Sequence, residues 1–250
     1  MTAALAVETR KLMAARVVRT ATVLLVVGVA IMTGALTAAA DAGNEQVLVQ
    51  LGDLAGEHGW ARLLGIAAQI TAAAGLLTFG VTLAWVVGRE FGEGTIGGLF
   101  ALPVPRASIV AAKLVVFLAW TVAVAFLLIV AVAIVGLVLG YGRPDGQAVA
   151  KLARLLALTA LSGLLATPAA WVATLGRGML AGIATTITTI AVAQVLVVAG
   201  SGAWLPVAAP ALWAIDPAAV SAPQLALVTV IPLAFGALAM RSWSRLQLDR

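Results

Sequence analysis

Six long apolar stretches separated by polar connectors set the plan of the chain: residues 20–40, 63–87, 108–140, 155–176, 179–199 and 224–240. A bilayer core takes roughly 17–25 apolar residues in helical form, so each stretch predicts a transmembrane helix. The third is long enough to require tilt or protrusion into water. Pro168 inside the fourth predicts a kink, and Pro232 lies inside the sixth. The pattern predicts an all-α integral membrane protein with six transmembrane helices.

The connectors differ in character. Residues 1–19 mix Glu8, Arg10, Lys11, Arg16 and Arg19 with Leu5, Val7, Leu12, Met13 and Val17. At about 100° per residue, Glu8, Lys11, Arg16 and Arg19 share a face opposed by Met13, Ala14 and Val17, with Arg10 out of place. The expectation is a basic interfacial helix turning into the first span. The alternative is a solvated basic flank. The apolar run ending Ala38-Ala39-Ala40 exceeds the 7–15 residues of a secretory signal, which favours an uncleaved first span. Residues 41–62 form a polar loop whose piece Val47–Leu51 could lie in the interface. Residues 141–154 form a short loop, and Arg177 alone marks a tight turn. Residues 200–223, with Trp204, Pro206, Pro210, Trp213 and Pro217, suit short re-entrant or interfacial helices before the last span. Residues 241–250 form a basic tail.

With six spans, both termini share one side. That side holds Arg10, Lys11, Arg16, Arg19, Arg89, Arg106, Lys113, Arg177, Arg241, Arg245 and Arg250, against Arg62, Arg143, Lys151 and Arg154 on the other. Eleven basic residues against four make the termini cytoplasmic.

Composition agrees: 63% of residues are hydrophobic and 10% charged, with a mean hydropathy of +1.12. The +5 charge is spread over span ends rather than gathered into a patch with aromatics, which argues against nucleic acid. The absence of cysteine excludes disulfides and thiolate chemistry. The single histidine, His58, reads as a solvated loop residue, and a protein-ligated transition metal is not expected. No G-x-x-x-x-G-K-[ST] phosphate loop, H-E-x-x-H or G-x-S-x-G occurs. The spans hold almost no ionisable groups, whereas proton-coupled transporters and intramembrane enzymes place them at depth. Lys113 is the nearest, one turn inside the third span, where it can snorkel to the headgroups. An external power source is therefore expected.

Residues 88–113 are the one charged island between long apolar blocks. It contains Arg89-Glu90-Phe91, Glu93-Gly94-Thr95, the apolar Leu99 to Leu102, Pro103-x-Pro105-Arg106 and Lys113. This stretch resembles the segment after the second span in bacterial type-2 ABC transporter permeases, closest to the bacitracin-resistance and lantibiotic-immunity subfamily. The basic N-terminus, six spans and Pro/Trp-rich segment extend the resemblance over the whole chain.

The resemblance implies a homo- or heterodimer of permease subunits in the bacterial inner membrane. Each would dock a separate cytoplasmic ATPase, which carries the ATP and Mg; no cofactor is implied on this chain. Residues 88–107 would be the coupling segment, with Arg89, Glu90, Phe91, Glu93, Gly94, Thr95, Pro103, Arg106 and Lys113 as the positions carried over. Glu90 and Glu93 would face basic or amide groups of the ATPase. Phe91, Ile96, Leu99 and Phe100 would fill an apolar groove on it. Gly92, Gly97 and Gly98 depart from the pattern at about 1 kcal/mol each against helix, leaving open whether the segment is one helix or a broken one. The simpler reading of the island is a topological hinge, with Glu90 paired to Arg89 or Arg106. The substrate class implied is a drug, a peptide antibiotic or a lipid-like amphipathic molecule. A non-transporting partner of an ATPase, a sensor or assembly factor, would carry the same island.

Two stripes of small residues complete the picture. Thr71, Gly75, Thr78 and Thr82 line the second span, and Gly178, Gly182, Thr185 and Thr189 the fifth. Such stripes are helix-packing surfaces or, more sharply, a dimer interface or substrate path. Gln194, the amide deep in the fifth span, is expected to bond a neighbouring helix.

Overall fold

The computed structural model describes residues 2–101 and 103–247. Leu102 of the island and Arg250 of the basic tail lie outside the described residues. Among those described there is no strand, and six helical segments are long and apolar enough to cross a membrane.

The first is α2 (Arg16–Asp41), preceded by α1 (Thr2–Ala14) and followed by short α3 (Glu45–Leu51). The second is α4 (Gly59–Gly92) and the third α6 (Arg106–Val138), with α5 (Ile96–Phe100) between them. The fourth is broken into α7 (Gly146–Leu165) and α8 (Thr167–Leu175). Pro168 occupies the first turn of α8, where its missing N–H costs nothing, and the kink expected there is a one-residue interruption at Ala166. The fifth is α9 (Met179–Val198). Short α10 (Ala209–Ile215) precedes the sixth, built from α11 (Ala222–Ala226), a 3-10 turn and α12 (Val230–Arg245). As expected, residues 200–223 consist of short helical pieces, and α10 folds back onto α4 and α7 with Ala209 wholly buried.

α4 is the hub, packing against α2, α6, α7, α8 and α9. It runs past both ends of the apolar run because its charged flanks, Arg62 and Glu90, are buried and paired inside the protein. Phe79, Phe117 and Trp120 form an aromatic knot at its centre, with centroids 5.5–6.3 Å apart. Trp120 Nε1 donates to Thr22 Oγ1 (3.0 Å), tying α6 to α2.

The small-residue stripes serve this hub. Gly75 meets Ser162 of α7, and Thr71 and Thr82 are wholly buried. A Cβ on Gly182 would sit 2.7 Å from Ala169 O and Ala84 Cβ, and one on Gly88 would overlap the Met179 backbone. Thr185 and Thr189 face Pro168 and bond backbone carbonyls of α9 itself, and Thr78 is half-buried. Gly178 closes the Arg177 turn, donating its N–H to Ala173 O (3.0 Å). Thr71, Gly75, Thr82 and Gly182 are therefore packing contacts within one chain. Tight approach of α4 to α7, α8 and α9 needs small side chains there.

α1 inverts the expected amphipathic orientation. It buries Glu8 and Leu12 against the bundle while Val7 and Met13 face outward, as does Val17 at the start of α2.

Candidate functional site

The island, α1 and the end of α12 converge at one end of the bundle. α4 ends at Gly92, and Gly94 takes a left-handed conformation (φ +68°) that turns the chain sharply into α5. α5 is a single short helix, so residues 88–107 are broken helix rather than continuous helix. Pro105 precedes α6 and fixes its start.

Under this turn lies a ring of four charges. Lys113 of α6, with no exposed side-chain surface, reaches Glu90 Oε1 of α4 at 2.6 Å and Glu8 Oε2 of α1 at 2.8 Å. Lys11 closes the ring at 3.2 Å from Glu8 and 3.1 Å from Glu90. A buried ammonium is tolerated only when paired and hydrogen-bonded, and two carboxylates against two ammonium groups make the ring neutral. Lys11 sits at its edge. Burial works against its charge, but Glu90 and Glu8 outweigh that and raise its pKa above 10.5. Glu90 Oε2 is buried without a hydrogen-bond partner.

This geometry revises four expectations. Glu90 is 2% exposed and cannot present its carboxylate to a docked partner. Its cations are Lys113 and Lys11, neither Arg89 nor Arg106. Lys113 does not snorkel to the headgroups, because two carboxylates hold it inside. The apolar side chains of the island also point inward. Ile96 is buried, and Phe91 and Phe100 stack edgewise on Trp243 of α12 at 6.2 and 5.9 Å, while Leu99 packs on the same core. Trp243 is wholly buried and donates Nε1–H to Thr174 Oγ1 (3.0 Å).

The remaining island residues brace the turn or face outward. Arg106 lies over the Phe100 ring (4.1 Å) and donates to Leu246 O (2.6 Å), fastening α6 to the chain after α12. Arg89 stacks on Trp85 at 4.5 Å. Thr95 Oγ1 reaches back to Glu90 O (3.4 Å). Glu93, Gly94, Thr95, Gly97, Gly98 and Pro103 are exposed, and nothing lies near the Cβ positions of Gly94, Gly97 and Gly98. The outward face of the island is thus mostly bare backbone plus one carboxylate.

Sequence reasoning missed Glu8 and Lys11 as members of the site. The available signal was Leu5, Glu8, Leu12 and Ala15 falling on one helix face, a stripe a buried helix would use.

Two further features bear on function. Gln69 of α4 and Gln194 of α9 line an otherwise largely apolar cleft of about 250 Å3 closed by α10. Gln194 is exposed there rather than bonded to a neighbouring helix. At the opposite end, Arg62 donates to Asp41 Oδ1 (2.6 Å) and Ala55 O (2.9 Å), and its Nη2 lies 3.2 Å from Nδ1 of His58, an exposed loop residue as expected. Tyr141 donates its hydroxyl to Asp41. Burial and the Asp41 carboxylate push the phenol pKa up to about 12. Among the described residues no group of His, Cys, Asp and Glu is placed to hold a metal ion.

Compared with known proteins, the chain matches the family model for ABC-2 family transporter protein over residues 4–200, from within α1 to just beyond α9. No curated protein matches it.

Proposed function

The chain belongs to the ABC-2 transporter family, a multi-pass permease of the cell membrane, and from that premise we propose that it is one half of a dimeric exporter driven by a separate ATPase. The ATPase binds ATP and Mg and docks on the exposed backbone of residues 93–98. The observation that carries this reading is the seating of the island. Among its described residues Glu90 joins the charge ring below, Phe91 and Phe100 pack on Trp243 beside it, and Ile96 is buried. A push on α5 therefore reaches the second and third spans through Glu90 and Lys113 and the sixth through Trp243. Bare glycine backbone lets a partner surface approach closely, and Glu93 offers it one carboxylate.

The termini, and with them the docking face, are cytoplasmic in this reading, as the basic residues favour. The second permease subunit covers α9, which buries only Gly182 and Thr186 and leaves Leu180, Ile187, Val195 and Val198 exposed. The cleft between α4, α9 and α10 then faces the path between subunits. Apolar walls with two amides suit an amphipathic substrate such as a drug, a peptide antibiotic or a lipid-like molecule. Lys113, Glu90 and Arg62, the buried charges of the second and third spans, are all committed to ion pairs.

Glu93→Lys tests the docking. It alters an exposed residue, so the protein inserts and melts normally. Reconstituted with the ATPase, it loses most substrate-stimulated ATP hydrolysis. Normal stimulation and normal co-purification of the ATPase would remove the docking assignment.

A further inference from the structure

α8 and α12 are pinned side by side by two indoles, Trp243 to Thr174 and Trp171 Nε1 to Ser242 Oγ (3.2 Å). Between their ends opens a recess of about 480 Å3. Its walls are Trp171, Leu175 and Leu238, and its rim carries Arg177, Arg241 and Arg245. No Asp or Glu lines it among the described residues.

Arg241 and Arg245 lie one turn apart on the exposed side of α12, and neither forms an ion pair with a described residue. Like charges at this spacing repel, and an anion between them reverses the sign. Arg177 is held over the same opening by a backbone turn with φ +49° and by its bond to Gln247 O (3.0 Å). The wall below is of the opposite character. Leu175 and Leu238 are exposed on the flanks of two span ends, where hydrocarbon chains run, and indoles belong at headgroup level. Cationic rim above apolar wall describes a ligand with a phosphate at one end and an acyl chain at the other. Guanidinium forks match phosphate oxygens in pairs.

We propose that this recess is a binding site for an anionic phospholipid, its phosphate held by Arg241 and Arg245 and one acyl chain lying along Leu175 and Leu238. Basic recesses between span ends are a recurrent lipid-headgroup geometry. The site rests on the span arrangement and not on the docking of an ATPase, so it stands or falls separately.

The test uses the full-length protein in nanodiscs of equal phosphatidylglycerol and phosphatidylcholine, with retained lipid counted by mass spectrometry. The wild type retains phosphatidylglycerol in excess of the bulk. In Arg241→Gln/Arg245→Gln that excess falls about thirtyfold, since each of the two basic residues near the surface contributes about 1 kcal/mol. Its melting in pure phosphatidylcholine stays unchanged. If the double variant folds poorly, Arg241→Lys/Arg245→Lys keeps the charge and retains most of the excess. Unchanged lipid retention in the double variant overturns the site. So does stabilisation by millimolar inorganic phosphate equal to that by phosphatidylglycerol, which would make the ligand a soluble anion. Normal lipid retention with lost ATPase binding would likewise overturn it, assigning the arginines to a protein partner.

Discussion

The two ends of the bundle are each closed by a charge cluster, and the clusters are built to opposite rules. At the end with the termini, Glu8, Lys11, Glu90 and Lys113 form a ring in which Lys113 has no exposed side-chain surface and the two carboxylates have 6% and 3%. At the other end, Arg62 is equally buried, but its partner Asp41 keeps 36% of its side chain in water. The second cluster fastens a loop and has solvent to fall back on. The first joins three separate helices beneath the turn at Gly94, and of its members only Lys11, at 31% exposed, reaches water. Desolvated charge is therefore concentrated where α1, α4 and α6 meet.

Removing the central cation should break this contrast hardest. Lys113→Met leaves two buried carboxylates with only Lys11, a loss of about 3–5 kcal/mol. It should appear as a large drop in melting temperature in detergent. Glu8→Gln/Glu90→Gln/Lys113→Met removes the whole buried set and should recover most of that stability while still failing to couple to ATP hydrolysis. A triple variant as unstable as the single one would mean that packing, not charge, holds the ring together. Glu8→Gln alone sharpens the point. It leaves Lys113 paired with Glu90 but weakens the hold on α1, at about 2 kcal/mol. Hydrogen exchange should rise over residues 2–14 and not in α4.

The outer cluster should respond less. Arg62→Met frees Asp41 to hydrate and should cost about 1–2 kcal/mol, read as lower melting temperature with coupling intact. Tyr141 gives the smallest effect, and only in alkali. Its phenol is neutral in the folded protein up to about pH 12 but ionises near 10 when unfolded. The stabilisation is present below pH 10 and is lost as pH rises through 12. Tyr141→Phe should flatten that alkaline decline in melting temperature.

Much of this was legible from residue order. The six apolar runs give the six long segments because bilayer thickness and helical rise leave no other length. Pro168 marks the break between α7 and α8, and residues 200–223 give short helices for the reasons their prolines and tryptophans suggest. What escaped depends on pairings far apart in the chain. Lys113 meets Glu8 across 105 residues, and Tyr141 meets Asp41 across 100. A charge beside an apolar run looks like the edge of a span, whether it goes to water or to a buried partner. That ambiguity cut the second span short at both ends and turned Glu90 outward. Aromatic residues on a polar connector carry the same ambiguity. Phe91 and Phe100 read as a docking face because Trp243, their partner, lies near the far end of the chain.

The ring also orders events during synthesis. Glu8 and Lys11 leave the ribosome with no partner but each other, and Glu90 follows as the second span is threaded. Lys113 is made last, at the head of the third. Until that span is delivered, α1 has to wait in the headgroup layer as a hydrated peptide, and only then can it be drawn against the bundle. α1 is thus translated before the second and third spans and finds its place after both.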